Sequence, residues 1–329
     1  MKANKIYIQA AAQISAQQPL SESWMTSPVT LEEPYVRSCD PNFKEWFSVL
    51  EARRMGKLMK RALVTALKVM KDTAIEQPDA IITGTGLGCI ENTELFLDQL
   101  CREGEEMLKP TYFMQSTHNT ISSLIAIKGR CHGYNSTYSH KSVSFDSALW
   151  DAFLQLQLGD ISTALVTGND EMTPSYFRIL QRTGFVGQPG QVAASEASAA
   201  MMLTCVPQQP LCEVQSVQLS LGTPQLEMFA GQADALMMGY NGTPANDHVY
   251  AQLAAQLPGI PQLHYKHLFG ESYTASALGI YACSHLLHAG QAPAFLRCDG
   301  EEAPLDVRRI LFINHSDGNN VSCILLRSV

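Results

Sequence analysis

Residues 145–171 read FDSALWDAFLQLQLGDISTALVTGNDE and join a helix, a glycine stop and a buried strand. Apolar residues recur at helical spacing in the first half, which predicts a helix from Phe145 to Leu158. Gly159 follows the last of them, where helices commonly end. The apolar run from Thr163 to Thr167 then predicts a buried strand. A helix followed so closely by a buried strand is typical of an α/β protein.

Strands and helices alternate along the rest of the chain, apart from a predicted long loop over 15–42. Strands are predicted at 5–11, 79–83, 133–138, within 194–204, at 309–312 and at 321–326; helices are predicted at 43–72, 91–101, 119–128, 247–257 and 273–288. This alternation favours a buried, partly parallel sheet. A division near 207–211 predicts two related halves, 1–206 and 207–329.

The composition excludes several classes of protein. The 329 residues are 46% hydrophobic and 16% charged, which rules out disorder as the main state. The formal net charge of −8 disfavours nucleic-acid binding, because such proteins usually present a broad basic surface. No apolar run reaches the roughly 18 residues that cross a membrane. We therefore expect no nucleic-acid partner and no membrane insertion.

The cysteine pattern indicates a reducing compartment. Nine cysteines are scattered along the chain, an odd number without a C-x-x-C pair. This argues against a disulfide framework and against a zinc ribbon. Residues 1–19 lack the long apolar core of a signal peptide. We expect reduced thiols, a cytoplasmic location and no bound metal.

The predicted helix over 43–72 carries a cluster of cations. They lie largely off its apolar stripe and are Arg53, Arg54, Lys57, Lys60 and Arg61. One interpretation is a solvated helix face. The other is a docking patch for an acidic partner.

The glycine turn after the second strand does not indicate a nucleotide site. Gly84, Gly86 and Gly88 are spaced G-x-G-x-G, without the further glycine of the dinucleotide fingerprint. No well-placed acidic residue ends a second strand about 20 residues later. We expect no cofactor.

Several segments, taken in order, resemble the β-ketoacyl synthase branch of the thiolase-like condensing enzymes. They are Arg53-Arg54-Met55, residues 81–88, 119–133, Leu158-Gly159-Asp160 with 164–171, residues 195–203, 266–279 and 314–324. The resemblance covers most of the chain. It implies a thiolase-like αβαβα five-layer fold with two pseudo-repeated halves.

The family's nucleophile is not found at its expected position. The resemblance implies a cysteine at the N-terminus of a buried helix, where the helix dipole favours a thiolate and the backbone N–H groups bind the oxyanion. Counting back from Gly159 places Ser142 there, and Cys131 lies eleven residues upstream. A serine hydroxyl without a base is a much weaker nucleophile.

The family's two histidines are also replaced. Ungapped alignment places Gly239 at the first, and a two-residue slip would place Asn241 there. Lys266 of the second motif is retained, but Glu271 stands at the histidine. A carboxylate would repel the enolate that those histidines stabilise. No catalytic residue is therefore expected at these degenerate positions.

Three substitutes for the missing residues remain open. His264 or His267, beside Lys266, could act as an acid or base. His285 and His288 have helical spacing and could share a metal ligand. Ser142 could pair with a neighbour, His140 or Lys141, although adjacent side chains of an extended strand point to opposite faces. The alternative for all of them is an ordinary loop or core residue.

A condensing-enzyme fold without its nucleophile resembles the chain-length-factor subunit of a type II polyketide synthase. That resemblance implies an inactive subunit that pairs with an active ketosynthase, shapes the chain tunnel and works with an acyl carrier protein. The segments 139–142 and around Asn241 resemble subunits of aryl polyene and flexirubin clusters. The alternatives are an active 3-oxoacyl-[acyl-carrier-protein] synthase or acyltransferase with an atypical site, and a structural homodimer. Residues 133–138 are expected to carry the subunit interface.

Overall fold

The computed structural model describes residues 4–329. Ten helices and twelve strands make up its regular structure, together with short 3-10 turns. The strands are β1 (Ile6–Ile14), β2 (Ala80–Gly84), β3 (Tyr134–Tyr138), β4 (Thr163–Asp170), β5 (Ala197–Thr204), β6 (Cys212–Leu221), β7 (Ala235–Met238), β8 (Gln262–His264), β9 (Gln291–Ala292), β10 (Leu305–Asp306), β11 (Arg309–Ser316) and β12 (Asn320–Arg327). The helices are α1 (Val49–Ala52), α2 (Lys57–Thr73), α3 (Ile90–Glu103), α4 (Pro110–Ser116), α5 (Thr120–Gly129), α6 (Ser144–Leu158), α7 (Pro174–Arg182), α8 (Pro244–Ala254), α9 (Lys266–Phe269) and α10 (Ala275–Ala289).

The strand order repeats from one half of the chain to the other. Ten strands are joined in the order β3-β2-β4-β5-β1-β6-β12-β11-β7-β8. In the first five, β2 is parallel to β3 and β4, whereas β5 is antiparallel to β4 and β1. In the last five, β7 is parallel to β8 and β11, whereas β12 is antiparallel to β11 and β6. The chain therefore builds the same five-stranded arrangement twice.

Helices and sheets alternate in five layers. Helices α2 and α5 pack on the outer face of the first five strands, and α8 packs on the outer face of the last five. Helices α6 and α10 lie between the two sets, in the largest hydrophobic cluster. Every residue of α10 from Ala275 to Leu287 is buried. The expected αβαβα fold with two pseudo-repeated halves is confirmed, and we propose residue 206 as the end of the first half.

Residues 145–171, from which the fold class was predicted, have the expected local structure. Helix α6 ends at Gly159, whose left-handed φ of 82° lets its N–H reach the carbonyls of Gln155 and Leu156. Strand β4 follows four residues later and is buried from its second residue onward. Glycine fits this position because a left-handed backbone conformation is costly for residues with a Cβ.

Two sequence expectations about residues 43–72 are wrong. The segment is not one helix but a 3-10 turn at Phe43–Glu45 followed by α1 and α2. Ser48 and Glu51 form a capping box that starts α1, and Gly56 is the N-cap of α2. Arg61 is not on a solvated face: its side chain is 1% exposed. It lies 2.5 Å from Asp40 and 2.7 Å from Glu196, since α2 packs against β5 there.

The other predicted elements differ from expectation only at their ends, whereas helices α4 and α7 were not predicted. Helix α8 begins at Pro244, three residues early, because proline is favoured in the first helical turn, and it ends at Ala254. The predicted loop over 15–42 holds one short turn, Ser23–Met25, which buries Trp24. No helix within residues 4–329 is long and apolar enough to cross a membrane.

Candidate functional site

Four residues singled out from the sequence line one cavity of about 320 Å³. They come from separate elements: Ser142 precedes α6, Asn241 follows β7, Lys266 begins α9 and Glu271 follows it. The complete lining is Ser142, Phe185, Asn241, Thr243, Ala245, Asn246, Val249, Lys266, Glu271, His315, Asp317 and Gly318. The fold thus brings together positions up to 129 residues apart, at the carboxyl ends of β7, β8 and β11.

Ser142 lies in a 3-10 turn, Lys141–Val143, that leads directly into α6. Lys141 has a left-handed φ of 49°, which turns the chain sharply before the helix. The amide of Asn314 donates to the Ser142 carbonyl at 2.8 Å and to the carboxylate of Asp146 at 3.1 Å. Ser276 also donates to Asp146, at 2.7 Å. Ser142 is therefore held at the helix N-terminus by a buried polar network.

Neither neighbour of Ser142 can act as its base in this arrangement. Nδ1 of His140 lies 3.4 Å from the Ser147 hydroxyl. The Lys141 ammonium lies 3.0 Å from Asp317, and both side chains are well exposed. Among residues 4–329, no hydrogen bond reaches the Ser142 hydroxyl from either one. The sequence hypothesis of a paired serine nucleophile therefore lacks a contact.

Asn241, rather than Gly239, presents a side chain to the cavity. A Cβ at Gly239 would lie 2.4 Å from the Tyr250 hydroxyl and 3.1 Å from Cε of Lys266, so that position has no room for a side chain. The Asn241 amide donates to Glu271 at 2.7 Å. Its carbonyl oxygen accepts from the Thr243 N–H at 3.0 Å. The match of Asn241 to the family's histidine stays a prediction.

Lys266 and Glu271 form a buried ion pair. Nζ of Lys266 lies 2.8 Å from Oε2 of Glu271, and the two side chains are 6% and 8% exposed. The same oxygen accepts from Asn241, so one carboxylate oxygen receives two donors. An isolated buried charge would be costly, and each partner here offsets that cost for the other. The negatively charged group at this cavity is therefore Glu271, one of its own lining residues.

His315 is a cavity residue that sequence reasoning missed. Its Nε2 lies 3.2 Å from the carbonyl of Asn246, and its Nδ1 accepts from the Gly318 N–H at 3.2 Å. Burial, followed by the nearby Lys266 ammonium, lowers the pKa of His315 below its usual value. These contacts fit a neutral ring with the proton on Nε2 and both nitrogens occupied. The only sequence feature that could have indicated His315 is its place among the polar residues between the apolar strands β11 and β12.

The other histidine hypotheses find no support in the geometry. The rings of His264 and His267 stack on each other at 4.0 Å, and neither lines the cavity. Burial lowers the pKa of His267 to about 3, which disfavours a charged ring. His285 packs on Tyr281, with ring centroids 4.5 Å apart. Within residues 4–329, no three His, Cys, Asp or Glu side chains are placed to share a metal ion.

The cysteine that the family resemblance implies has no counterpart among the residues that line this cavity. The residues that line it include none of the nine cysteines. Cys131 instead lies near the Glu76 carbonyl, with its sulfur 3.9 Å away. Burial raises the pKa of the Cys131 thiol, which disfavours a reactive thiolate.

The sequence model for the N-terminal domain of beta-ketoacyl synthases matches residues 24–238. The 3-oxoacyl-[acyl-carrier-protein] synthase 2 of Staphylococcus aureus strain N315 is 24% identical over 144 residues, which are 42% of this chain. Those residues cover 34% of that enzyme, so the match spans about a third of the relative's length.

Solved structures share the fold at low sequence identity. The ishigamide ketosynthase/chain length factor has a TM-score of 0.81 at 17% identity, covering 99% of this chain and 100% of that chain. The ketosynthase ApeO in complex with its chain length factor ApeC, from Xenorhabdus doucetiae, has a TM-score of 0.76 at 16% identity. That match covers 99% of this chain and 98% of the other.

Proposed function

The chain belongs to the beta-ketoacyl synthase family, and from this premise we propose that it is a catalytically degenerate subunit, a chain length factor. It pairs with an active ketosynthase and shapes the tunnel that holds the growing chain in type II polyketide or fatty-acid-like biosynthesis. Aryl polyene synthesis is the finer assignment we favour. It is supported by the resemblance at 139–142 and around Asn241 and by the likeness in fold to the ApeO–ApeC complex.

One observation carries this proposal: a carboxylate bound in the cavity beside Ser142. Decarboxylative condensation builds negative charge on an enolate, and catalysis requires donors aimed at that charge. Here the donors Lys266 and Asn241 are both directed at Glu271. Ser142 has no base in hydrogen-bond contact among the described residues. The cavity therefore fits a subunit that retains the fold of a condensing enzyme but does not catalyse decarboxylative condensation.

The edge of the sheet supports pairing with a second subunit. Strand β3 ends the ten-stranded order, and β2 is its only strand partner within residues 4–329. Tyr134 on β3 is 44% exposed and Trp150 on α6 is 39% exposed. An unpaired edge with aromatic residues favours association through β3. We propose a heterodimer that buries more than about 2,000 Å²; the alternative occupant is a second copy of this chain.

The cations around α2 support an acyl carrier protein as second partner. Arg61 is buried in ion pairs and does not contribute. Arg53, Arg54 and Lys57 remain exposed at the start of the helix. In a chain of net charge −8, such a local basic patch would attract an acidic face of a partner.

The nine unpaired cysteines support a cytoplasmic location for this assembly.

Intact-mass measurement tests the loss of chemistry. The purified chain is incubated with acyl carrier protein thioesters, alongside Ser142→Ala and the matched control Ser139→Ala, whose serine is exposed three residues earlier. We expect no stoichiometric acyl adduct on any of the three. An adduct that disappears only in Ser142→Ala would overturn the proposal. It would favour the alternative, an active 3-oxoacyl-[acyl-carrier-protein] synthase or acyltransferase with an atypical site.

Co-expression with a candidate ketosynthase that retains its catalytic residues tests the pairing. We expect a stable heterodimer by native mass spectrometry. Tyr134→Arg should abolish it, because a charge would be buried at the edge of β3. Val206→Arg, at a residue 71% exposed outside the strands, is the matched control and should leave it intact. A chain that stays monomeric at micromolar concentration with and without the ketosynthase would contradict the assignment.

A further inference from the structure

The donors in the cavity are arranged as a binding site for a carboxylate. Lys266 and Asn241 both direct an N–H at one oxygen, Oε2 of Glu271, from 2.8 Å and 2.7 Å. A buried ammonium and a buried amide converging on one point are the chemistry that binds a carboxylate or an oxyanion. The ligand in this structure is a side chain of the protein.

The amide of Asn241 has only one possible orientation. Its carbonyl oxygen accepts from the Thr243 N–H, so its NH2 group must face Glu271. The backbone N–H of Asn241 in turn donates to Asp247 at 3.0 Å. The donor is thus fixed by contacts that do not involve Glu271, and it would stay in place without that carboxylate.

The backbone of Glu271 is also fixed by contacts that do not involve Lys266 or Asn241. The Glu271 N–H donates to the Ala193 carbonyl and its carbonyl accepts from the Ser195 N–H, both at 2.8 Å. This bridge to the segment before β5 sets the direction of the side chain. The Asn241 donor and the backbone of Glu271 are thus preorganised, which favours tight internal binding.

We propose that Lys266 and Asn241 form a carboxylate-binding site whose occupant is the chain's own Glu271. This internal ligand closes the floor of the cavity to free carboxylates and to acyl groups that carry a carboxylate, such as a malonyl-type extender. Neutral acyl chains are not excluded in this way. The inference concerns the isolated chain, so it does not depend on pairing with a ketosynthase.

Removal of the internal ligand tests this site. Glu271→Ala leaves Lys266 and Asn241 facing an empty space of about the size of acetate. We expect its thermal midpoint to rise by at least about 2 °C in formate or acetate at ~100 mM, relative to sodium chloride at matched ionic strength. The wild-type protein should not respond, because Glu271 already fills the site. Formamide, which is neutral and of similar size to formate, should have no effect on either protein.

A double variant separates anion binding from a general loss of packing. Lys266→Ala combined with Glu271→Ala removes the cation as well, and should show no response to formate. An equal response of the single variant, the double variant and the wild type would mean a general salt effect and would overturn the proposal. So would an unresponsive Glu271→Ala.

Failure of the single variant to fold is also decisive. If Glu271→Ala is soluble only with formate or acetate present, the added anion replaces the side chain as proposed. If Glu271→Ala stays insoluble in both media while the double variant folds, a free carboxylate does not occupy the site and the proposal is wrong. If the double variant is insoluble as well, the folding defect of Glu271→Ala is not caused by an unpaired Lys266 ammonium. That result would also overturn the proposal.

Discussion

The side-chain amide of Asn314 donates a 2.8 Å hydrogen bond to the backbone carbonyl of Ser142, 172 residues earlier in the chain. The same NH2 group donates to the fully buried carboxylate of Asp146. One residue of β11 thus positions the turn before α6 and satisfies a buried charge at its start. Burial raises the pKa of Asp146, while the hydrogen bonds from Ser276, Ser322 and Asn314 act against that shift.

Asn314→Ala is expected to lower the free energy of unfolding by about 1–3 kcal/mol, because it removes the side-chain donor to the Ser142 carbonyl and one of the three side-chain donors to the buried Asp146 carboxylate. Asn319→Ala, at an exposed asparagine in the adjacent turn, is the control and should change it by less than about 0.5 kcal/mol. Urea unfolding measures both. Equal stability of the two variants would mean that the Asn314 bridge contributes nothing.

Arg61→Met is expected to cost about 3–5 kcal/mol of stability, because it leaves the buried carboxylate of Glu196 without its cation. Arg54→Met makes the same chemical change at an exposed position seven residues earlier and should be nearly neutral. Chemical denaturation of the pair distinguishes a buried structural arginine from a member of the basic patch. A mild Arg61→Met would contradict the burial that the structure shows.

Gly270→Ala and Gly259→Ala form a matched test of how Glu271 is positioned. Both glycines have a positive φ, 79° and 82°, which strains an alanine at either position. The ψ of −178° at Gly270 lies in a region essentially confined to glycine, which adds to the strain there. Only at Gly270 would the new Cβ also collide, at 2.4 Å from the Ser195 hydroxyl oxygen and 2.9 Å from the Ala193 carbonyl oxygen. We expect Gly270→Ala to be less stable than Gly259→Ala by about 1–3 kcal/mol in urea unfolding. The reverse order would contradict the close approach.

His285 is expected to make the fold sensitive to acid. Burial, followed by the charge of His288, lowers the pKa of His285 from its usual 6.5 to about 4. As the pH falls between these values, the unfolded chain takes up the proton before the folded chain does. Because of this residue, the free energy of unfolding therefore falls by about 3 kcal/mol as the pH is lowered from 6.5 to 4. Above pH 6.5 this loss is absent.

His285→Phe retains a ring against Tyr281 and removes the titration. Its stability should fall less steeply than that of the wild-type protein as the pH is lowered toward 4, as measured by urea unfolding at each pH. His248→Phe, at an exposed histidine, serves as the control and should follow the wild-type slope. Parallel curves for all three proteins would show that His285 does not titrate differently in the folded state.

The local elements of this fold could be predicted from the sequence because their signals are short in range. Helix α6 and strand β4 follow from apolar spacing and one glycine within 27 residues, and the structure reproduces both. The helix predicted over 43–72 was wrong because a capping box and Gly56 interrupt a continuous apolar pattern. A helix cap is a signal of only a few residues within a longer apolar pattern. Element boundaries were therefore harder to predict than the elements themselves.

The amino-acid sequence alone predicted most of the strands and helices in their order, and its resemblance to the condensing enzymes singled out Ser142, Asn241, Lys266 and Glu271. Only the tertiary structure decided that these four line one cavity with His315, that Asn241 rather than Gly239 faces it, and that Arg61 is buried. The physical reason is sequence distance. Arg61 pairs with a carboxylate 135 residues away, and Asn241 meets Glu271 across 30 residues. Periodicity reports which face of an element is apolar, but not which distant charge will pack against it.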